Sequence, residues 1–344
     1  MHWKYKAALQ NLMGRLPPSL GNPIYYQLQS RFGGLRHSTP LSRLSAGIEV
    51  VRRVHQFGRS VESGTFLEIG TGHQLALPLS LWLCGASEIT TVDLNRYLKE
   101  RLVINDIEYL RRHAEDVRNL FRETSPSQLF EARFERLLAG ANNLRELLSL
   151  TNIRYQAPAD ASCLAMEANS IDYHVSFTVL EHIPIAVMKR IFREGCRLLR
   201  PGGLFVHYID FSDHFAHSDG AISSVNFLRF SESEWEGLAG NRYMFHNRLR
   251  LDEFQKLLLD LDLEILALDS RVDEDAVDLL RKGFPLNERF RTKESSTNAA
   301  RNAWAVSAPA CVADAGGPSS RLPAKASVKA GAITSMRRRP CNAP

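Results

Sequence analysis

The chain has 344 residues, 44% of them hydrophobic, enough to bury one large or two ordinary cores and too many for a disordered or fibrous chain. Its formal charge of +5 sits after Ala315, where Arg321, Lys325, Lys329, Arg337, Arg338 and Arg339 occur without an acid, leaving the remainder at −1 and giving no support to a nucleic-acid groove. Cys84, Cys163, Cys196, Cys311 and Cys341 are scattered with no C-x-x-C pair, which fits reduced thiols and excludes a disulfide framework. In chain order, "MHWKYKAALQNLMGRL", "PIYYQLQSRF" and "PLSRLSAGIEVVRRVHQFG" carry apolar residues at helical spacing, the last with Leu44, Ile48, Val51 and Val54 on one face. The first of these lacks the apolar core and cleavage site of a signal peptide, and no apolar run is long enough for a membrane span, so the expectation is a cytoplasmic protein.

"GTFLEIG" then reads as a short strand entering a glycine turn, "HQLALPLSLWLCG" as a helix up to Gly85, and "SEITTVDLN" as a second strand ending at Asp93. Strand, helix, strand predicts a parallel sheet. Two long amphipathic helices follow, "YLKERLVINDIEYLRRHAEDVRNLF" and "SQLFEARFERLLAGANNLRELLSL", with nothing strand-like between them, so about 97–150 reads as a helical insertion. "NIRYQA", "SIDYHVSFTVL" and "LFVHYID" continue the strands, the last preceded by a helix closed by Pro-Gly-Gly. "RLRLDEFQKLLLDL" reads as a helix, "LEILALDSRV" and "NAWAVSAP" as final strands, and the segment 311–344, rich in Ala, Ser, Gly and Pro, as a disordered basic tail.

In such a sheet, ligands bind outside the carboxyl ends of the strands, and the informative residues fall there. Gly70 and Gly72 follow the first strand, with Glu68 just before them. Asp93 ends the second strand about twenty residues on, where a carboxylate can bind both hydroxyls of a ribose. A dinucleotide fingerprint needs a third glycine at position 75, where the chain has Leu75. Asp160 precedes Ala161 after the third strand, a position suited to accepting from an adenine amino group, and "SFTVLEHIP" follows the fourth.

These ordered motifs resemble those of the class I S-adenosylmethionine-dependent methyltransferases, of the methyltransferase type 11 kind. "LEIGTGH" is similar to their glycine loop, "TVDLN" to their ribose-binding strand end, "ADA" to their adenine-side motif, "IDYHVSFTVLEHI" to their fourth-strand signature, and "LLRPGGLFVHYID" to their turn into strand five. The resemblance spans roughly 65–210 and implies a Rossmann-like, doubly wound α/β fold: a mostly parallel seven-stranded sheet with an antiparallel last strand. It implies S-adenosylmethionine as cofactor, with Glu68, Gly70 and Gly72 around the methionine portion, Asp93 on the ribose, Asp160 and Ala161 at the adenine, and Ser176 and Phe177 lining the cofactor. Gln74 stands where the family often has another glycine, and the distance from Asp93 to Asp160 is longer than usual by the helical insertion. The catalytic domain is then 61–310, behind a helical segment over 1–60. A fainter likeness of "IDFSDHFAHSDGAISSVNFLRFSESEW" and "HNRLRLDEF" to saccharide- or polysaccharide-modifying members points to a saccharide acceptor.

Methyl transfer to oxygen needs alignment and benefits from a base. The candidates after the fifth strand are Asp210, Asp213, His214 and His217, with His214 or His217 as base and Asp213 as orienting partner; a solvated polar loop or an Asp/His metal site are the alternatives, and no metal is assigned. Glu181 and His182 read as ties between loop and helix. His246, Asn247, Arg248 and Arg250 read either as contacts to an anionic or sugar acceptor or as a charged helix start. Tyr25, Tyr26, Phe211, Phe215, Phe227, Phe230 and Trp235 read as core or pocket wall. The N-terminal and inserted helices suit a lid over the cofactor mouth or a homodimer interface equally well. The leading expectation is a small-molecule or saccharide O-methyltransferase; a non-catalytic cofactor-binding partner protein and an NAD-dependent oxidoreductase are the competing readings.

Overall fold

The computed structural model describes residues 2–33, 39–125, 127–140 and 142–310; the basic segment 311–344 lies outside the described residues. Three helices lead: α1 (Trp3–Arg15), α2 (Pro18–Phe32) and α3 (Leu41–Gln56), the first two separated at Pro17, with Pro18 at the first position of α2 where its missing N–H costs nothing. Then come β1 (Thr65–Ile69), α4 (Ala76–Leu83) and β2 (Glu88–Val92). Four helices follow, α5 (Glu100–Arg112), α6 (Ala114–Phe121), α7 (Ser127–Gly140) and α8 (Leu144–Thr151), before β3 (Ile153–Gln156) and β4 (Ile171–Phe177). The remainder is α9 (Ile185–Leu198), β5 (Leu199–Asp210), α10 (Glu232–Ala239), α11 (Leu251–Leu259), β6 (Leu263–Val272), α12 (Glu274–Arg281), α13 (Glu288–Arg291), α14 (Ser295–Asn298) and β7 (Ala300–Pro309). No helix among the described residues is long and apolar enough to cross a membrane.

The seven strands form one sheet in the order β3-β2-β1-β4-β5-β7-β6. The first five run parallel to one another, and β7 runs antiparallel to both β5 and β6, as expected of a mostly parallel sheet with an antiparallel last strand. Because alternate side chains leave opposite faces, Phe66, Val175 and Val206 pack against Val51 of α3, Leu79 of α4 and Ile107 of α5, whereas Leu67, Ile69 and Phe205 pack against Phe192 of α9 and Phe254 of α11. A smaller apolar cluster joins Trp3 of α1 to Phe215, Phe227, Trp235 and Phe290, which draws the N-terminal helix onto the segment after β5.

The structure departs from the sequence reading in two places that matter. Each of the two expected long helices is broken: α5 gives way to α6 at His113, and α8 starts afresh behind Asn143, whose side chain accepts from the Glu146 amide as a cap. The fourth strand, expected to run on to Leu180, stops at Phe177 because Thr178 adopts a left-handed φ of 54°, its amide donating to the Tyr208 carbonyl at 2.9 Å. That turn swings Val179 over the glycine loop.

Candidate active site

The carboxyl ends of β1 and β2 build a cradle. Parallel register sets Glu68 opposite Thr91 on the α3 side of the sheet, where the Thr91 hydroxyl donates to the Glu68 carboxylate and contacts the Thr71 hydroxyl. Glu68 is fully buried, and burial pushes its pKa up to about 8 despite the Thr91 hydrogen bond and the nearby Arg43 cation. After Ile69 the chain turns through Gly70 and Gly72, both left-handed, with φ of 84° and 71°. A Cβ on Gly70 would lie 2.5 Å from a methyl of Val179, so the loop passes closer to the β4 turn than any side chain permits.

Asp93, one residue past β2, is 6% exposed. Its carboxylate accepts from the Gly72 amide at 3.1 Å and from the Tyr155 hydroxyl at 3.2 Å. Burial pushes its pKa up to about 7, against the opposing pull of those two donors and of Arg43. Over the loop, His73 lies between Tyr97 and Tyr26 of α2, with ring centroids 5.9 and 5.7 Å away, and its Nδ1 bonds the Tyr97 carbonyl at 2.8 Å. Two of the leading helices therefore reach the cradle: α3 through Arg43 and α2 through Tyr26. Gln74, where another glycine was expected, donates to Asp106 of α5 at 2.7 Å and ties the loop to the helices between β2 and β3.

On the same edge of the sheet, the segment after β5 gathers carboxylate and imidazole groups. Asp210 accepts from the amide and hydroxyl of Ser212 at 2.8 and 2.6 Å, and its Oδ2 lies 3.7 Å from His214 Nε2 and 3.6 Å from His217 Nε2. Burial alone would raise the Asp210 pKa; His214 and Ser212 outweigh it and hold the carboxyl at about 2. The His214 and His217 rings stack at 4.8 Å, and His217, the more exposed of the two, shares a 3.0 Å hydrogen bond with the Ser212 hydroxyl.

Two expected roles are corrected. Asp213 does not orient the histidines: fully buried, it accepts from the Phe215 amide at 2.8 Å and Asn226 Nδ2 at 3.2 Å, holding the loop in shape, while Asp210 takes the place beside the imidazoles. The side chain of Ser176, expected to line the cofactor, instead points to the α9 face of β4, where its hydroxyl bonds His207 Nδ1 at 2.7 Å. Phe177 faces the other way, stacked on Tyr208 at 4.8 Å and beside Trp304. Asp160 is exposed, accepting from the Ser162 amide at 2.8 Å, and Ala161 is buried against the β1 and β2 ends.

Arg248 and Arg250 are buried. Arg250 donates to the Phe211 and Asn298 carbonyls at 2.7 and 3.1 Å, and Arg248 to those of Phe227 and Phe230, so both are struts rather than acceptor contacts. Phe211, Phe215, Phe227 and Trp235 are core. Sequence reading missed Arg43, Thr71, Thr91 and Tyr155; only the strand-end position of Thr91, three residues after Glu88, gave any signal for them.

A family model described as a methyltransferase domain matches residues 45–268. No curated protein sequence matches the chain. Among solved structures it is similar to a protein from Pyrococcus horikoshii OT3 at 16% identity, over 77% of this chain and 90% of that one, with a TM-score of 0.41. It is similar also to a SAM-dependent methyltransferase from Methanosarcina mazei at 17% identity, over 74% and 95% of the two chains, TM-score 0.40. A third, an S-adenosylmethionine-dependent methyltransferase from Mesorhizobium loti, is 17% identical over 75% and 95%, TM-score 0.40.

Proposed function

The chain belongs to the methyltransferase-domain family, and from that premise we propose that it methylates an oxygen of a small-molecule or saccharide acceptor. S-Adenosylmethionine supplies a sulfonium-bound methyl group, which leaves its sulfur for the acceptor oxygen as that oxygen's proton departs. The residues present fit this cofactor: Gly70 leaves room that a Cβ would fill, Asp93 stands at the strand end with an amide donor beside it, and Arg43 adds a cation above the loop. Glu68, Gly70 and Gly72 would hold the methionine end, Asp93 the ribose, and Asp160 with Ala161 the adenine. Tyr26 and His73, their rings 5.7 Å apart, would cover the cofactor from above.

One observation carries the oxygen assignment: Asp210 holds two imidazoles at the carboxyl end of β5, on the same sheet edge as the cradle. His217, the more open ring, takes the acceptor proton, while Asp210 stabilises the imidazolium that forms and Ser212 orients it. A cavity of about 210 Å³, lined by Glu232, Trp235, Asn247 and Arg289 among others, reaches His246, whose ring lies 5.1 Å from that of His214, and presents the Glu232–Arg289 ion pair to a hydroxyl-rich acceptor.

The test is transfer of labelled methyl from S-adenosylmethionine to a panel of sugars and small hydroxylated acceptors. With an accepted substrate, His217→Ala should lower kcat about 100-fold and leave the affinity for S-adenosylhomocysteine unchanged. An unchanged kcat removes His217 from the chemistry, and transfer only to amines or carbon acids overturns the oxygen assignment.

A further inference from the structure

Beside the Asp210 cluster lies a group of side chains that methyl transfer does not require. The turn after β4, Leu180–His182, carries Glu181, which is 1% exposed and whose two carboxylate oxygens have no hydrogen-bond partner among the described residues. A carboxylate buried without donors is costly and is retained where a cation meets it. What faces it are imidazoles: Glu181, His182 and His214 each bring one ligand atom to within 4.8 Å of the others.

The His182 tautomer is set for ligation. His182 Nδ1 bonds the Phe245 carbonyl at 2.7 Å, and since a carbonyl only accepts, Nδ1 carries the proton and Nε2 presents a bare lone pair. The Nε2 of His214 has no partner within hydrogen-bond distance among the described residues, its facing carboxylate oxygen, Asp210 Oδ2, lying 3.7 Å away. His246, whose ring lies 5.1 Å from that of His214, is wall rather than ligand, because its Nδ1 accepts from the Arg248 amide and its Nε2 therefore bears the proton. Asn247 stiffens the turn, receiving nothing from the cluster: its amide donates to the Glu181 carbonyl at 2.9 Å and its side chain to the carbonyls of Leu180 and Ile183.

We propose that Glu181, His182 and His214 bind one divalent transition-metal cation that holds the acceptor hydroxyl beside His217. Two imidazoles and one carboxylate suit zinc, manganese, iron or cobalt, whereas magnesium and calcium call for oxygen donors. Three donors about 2.1 Å from one ion lie about 3.0 to 3.6 Å apart, so side chains whose ligand atoms are within 4.8 Å of one another need to close by at most about one to two ångströms to reach it. Three protein ligands leave positions open for an acceptor oxygen, and a metal-bound hydroxyl gives up its proton far more readily than a free one. This deepens the O-methyltransferase reading and rests on it: the proton leaves the bound hydroxyl for His217.

The full chain, dialysed against a chelator, is titrated calorimetrically with zinc and manganese, and with cobalt while its visible absorption is followed. The expected result is one equivalent bound, a cobalt d–d band, and at least a tenfold weakening in both His182→Ala and Glu181→Gln. His182 is exposed, so its truncation removes no core packing and decides the matter should Glu181→Gln misfold. Affinity for S-adenosylhomocysteine reports folding in each variant; its failure in the wild type counts against the cofactor reading and leaves the metal result standing. No binding at millimolar metal, or equal affinity and spectrum in wild type and His182→Ala, meaning an adventitious ion only, overturns the proposal.

Discussion

Glu68 keeps its proton where an exposed glutamate has lost it. Burial raises its pKa from 4.5 to about 8, so between those values the folded chain binds a proton that the unfolded chain has released. Stability therefore falls as pH rises through that window and levels off above it; Arg43 and Asp93 face the group and set where the window ends. Glu68→Gln preserves the neutral shape, and thermal melts should show it matching the wild type near pH 5 and exceeding it by on the order of 3 kcal/mol above pH 8. Equal pH slopes in the two proteins would contradict a buried neutral Glu68. At this scale the sequence was most legible where position along a strand decides chemistry: Gly70, Gly72 and Asp93 are neighbours because β1 and β2 are parallel and in register. It was least legible where rotamers decide. Nothing in "DFSDHFAH" says that Asp213 turns inward to Asn226 while Asp210 turns to the imidazoles.

Among the elements, the loop after β5 depends on α11 and α14 for its shape, through one side chain. Arg250 has no exposed surface, rests on the rings of Phe211 and Phe227, and spans the Phe211 and Asn298 carbonyls. Arg250→Met fills a similar volume but strands both buried acceptors, so the urea midpoint should report a loss of about 3 kcal/mol. A change below about 0.5 kcal/mol would show that the strut carries no load. Charge misled the sequence reading here, since an arginine before a helix usually marks solvent and this one is interior. The strands were legible from their apolar runs and turn residues; the breaks at His113 and Asn143 were not, because helical periodicity continues across them.

For the whole molecule, the strand order reverses direction of growth between β1 and β4, and the cradle lies in the crevice at that switch point. The alternation of strands and helices made this architecture readable, since crossover handedness leaves few ways to wind it. How α1 and α2 return over the site was not readable: that path depends on Trp3 meeting Phe215 and Phe230, and Tyr26 meeting His73, contacts of long sequence separation. The measurement that bears most directly on the account is calorimetric titration of the full chain with S-adenosylmethionine, S-adenosylhomocysteine and NAD, in parallel with Asp93→Ala. The expected result is one equivalent of the first two, no binding of NAD, and at least a tenfold loss in the variant. Binding of NAD, or S-adenosylhomocysteine affinity indifferent to Asp93, would contradict the site, and failure of all three would leave a non-catalytic, partner-binding member of the family.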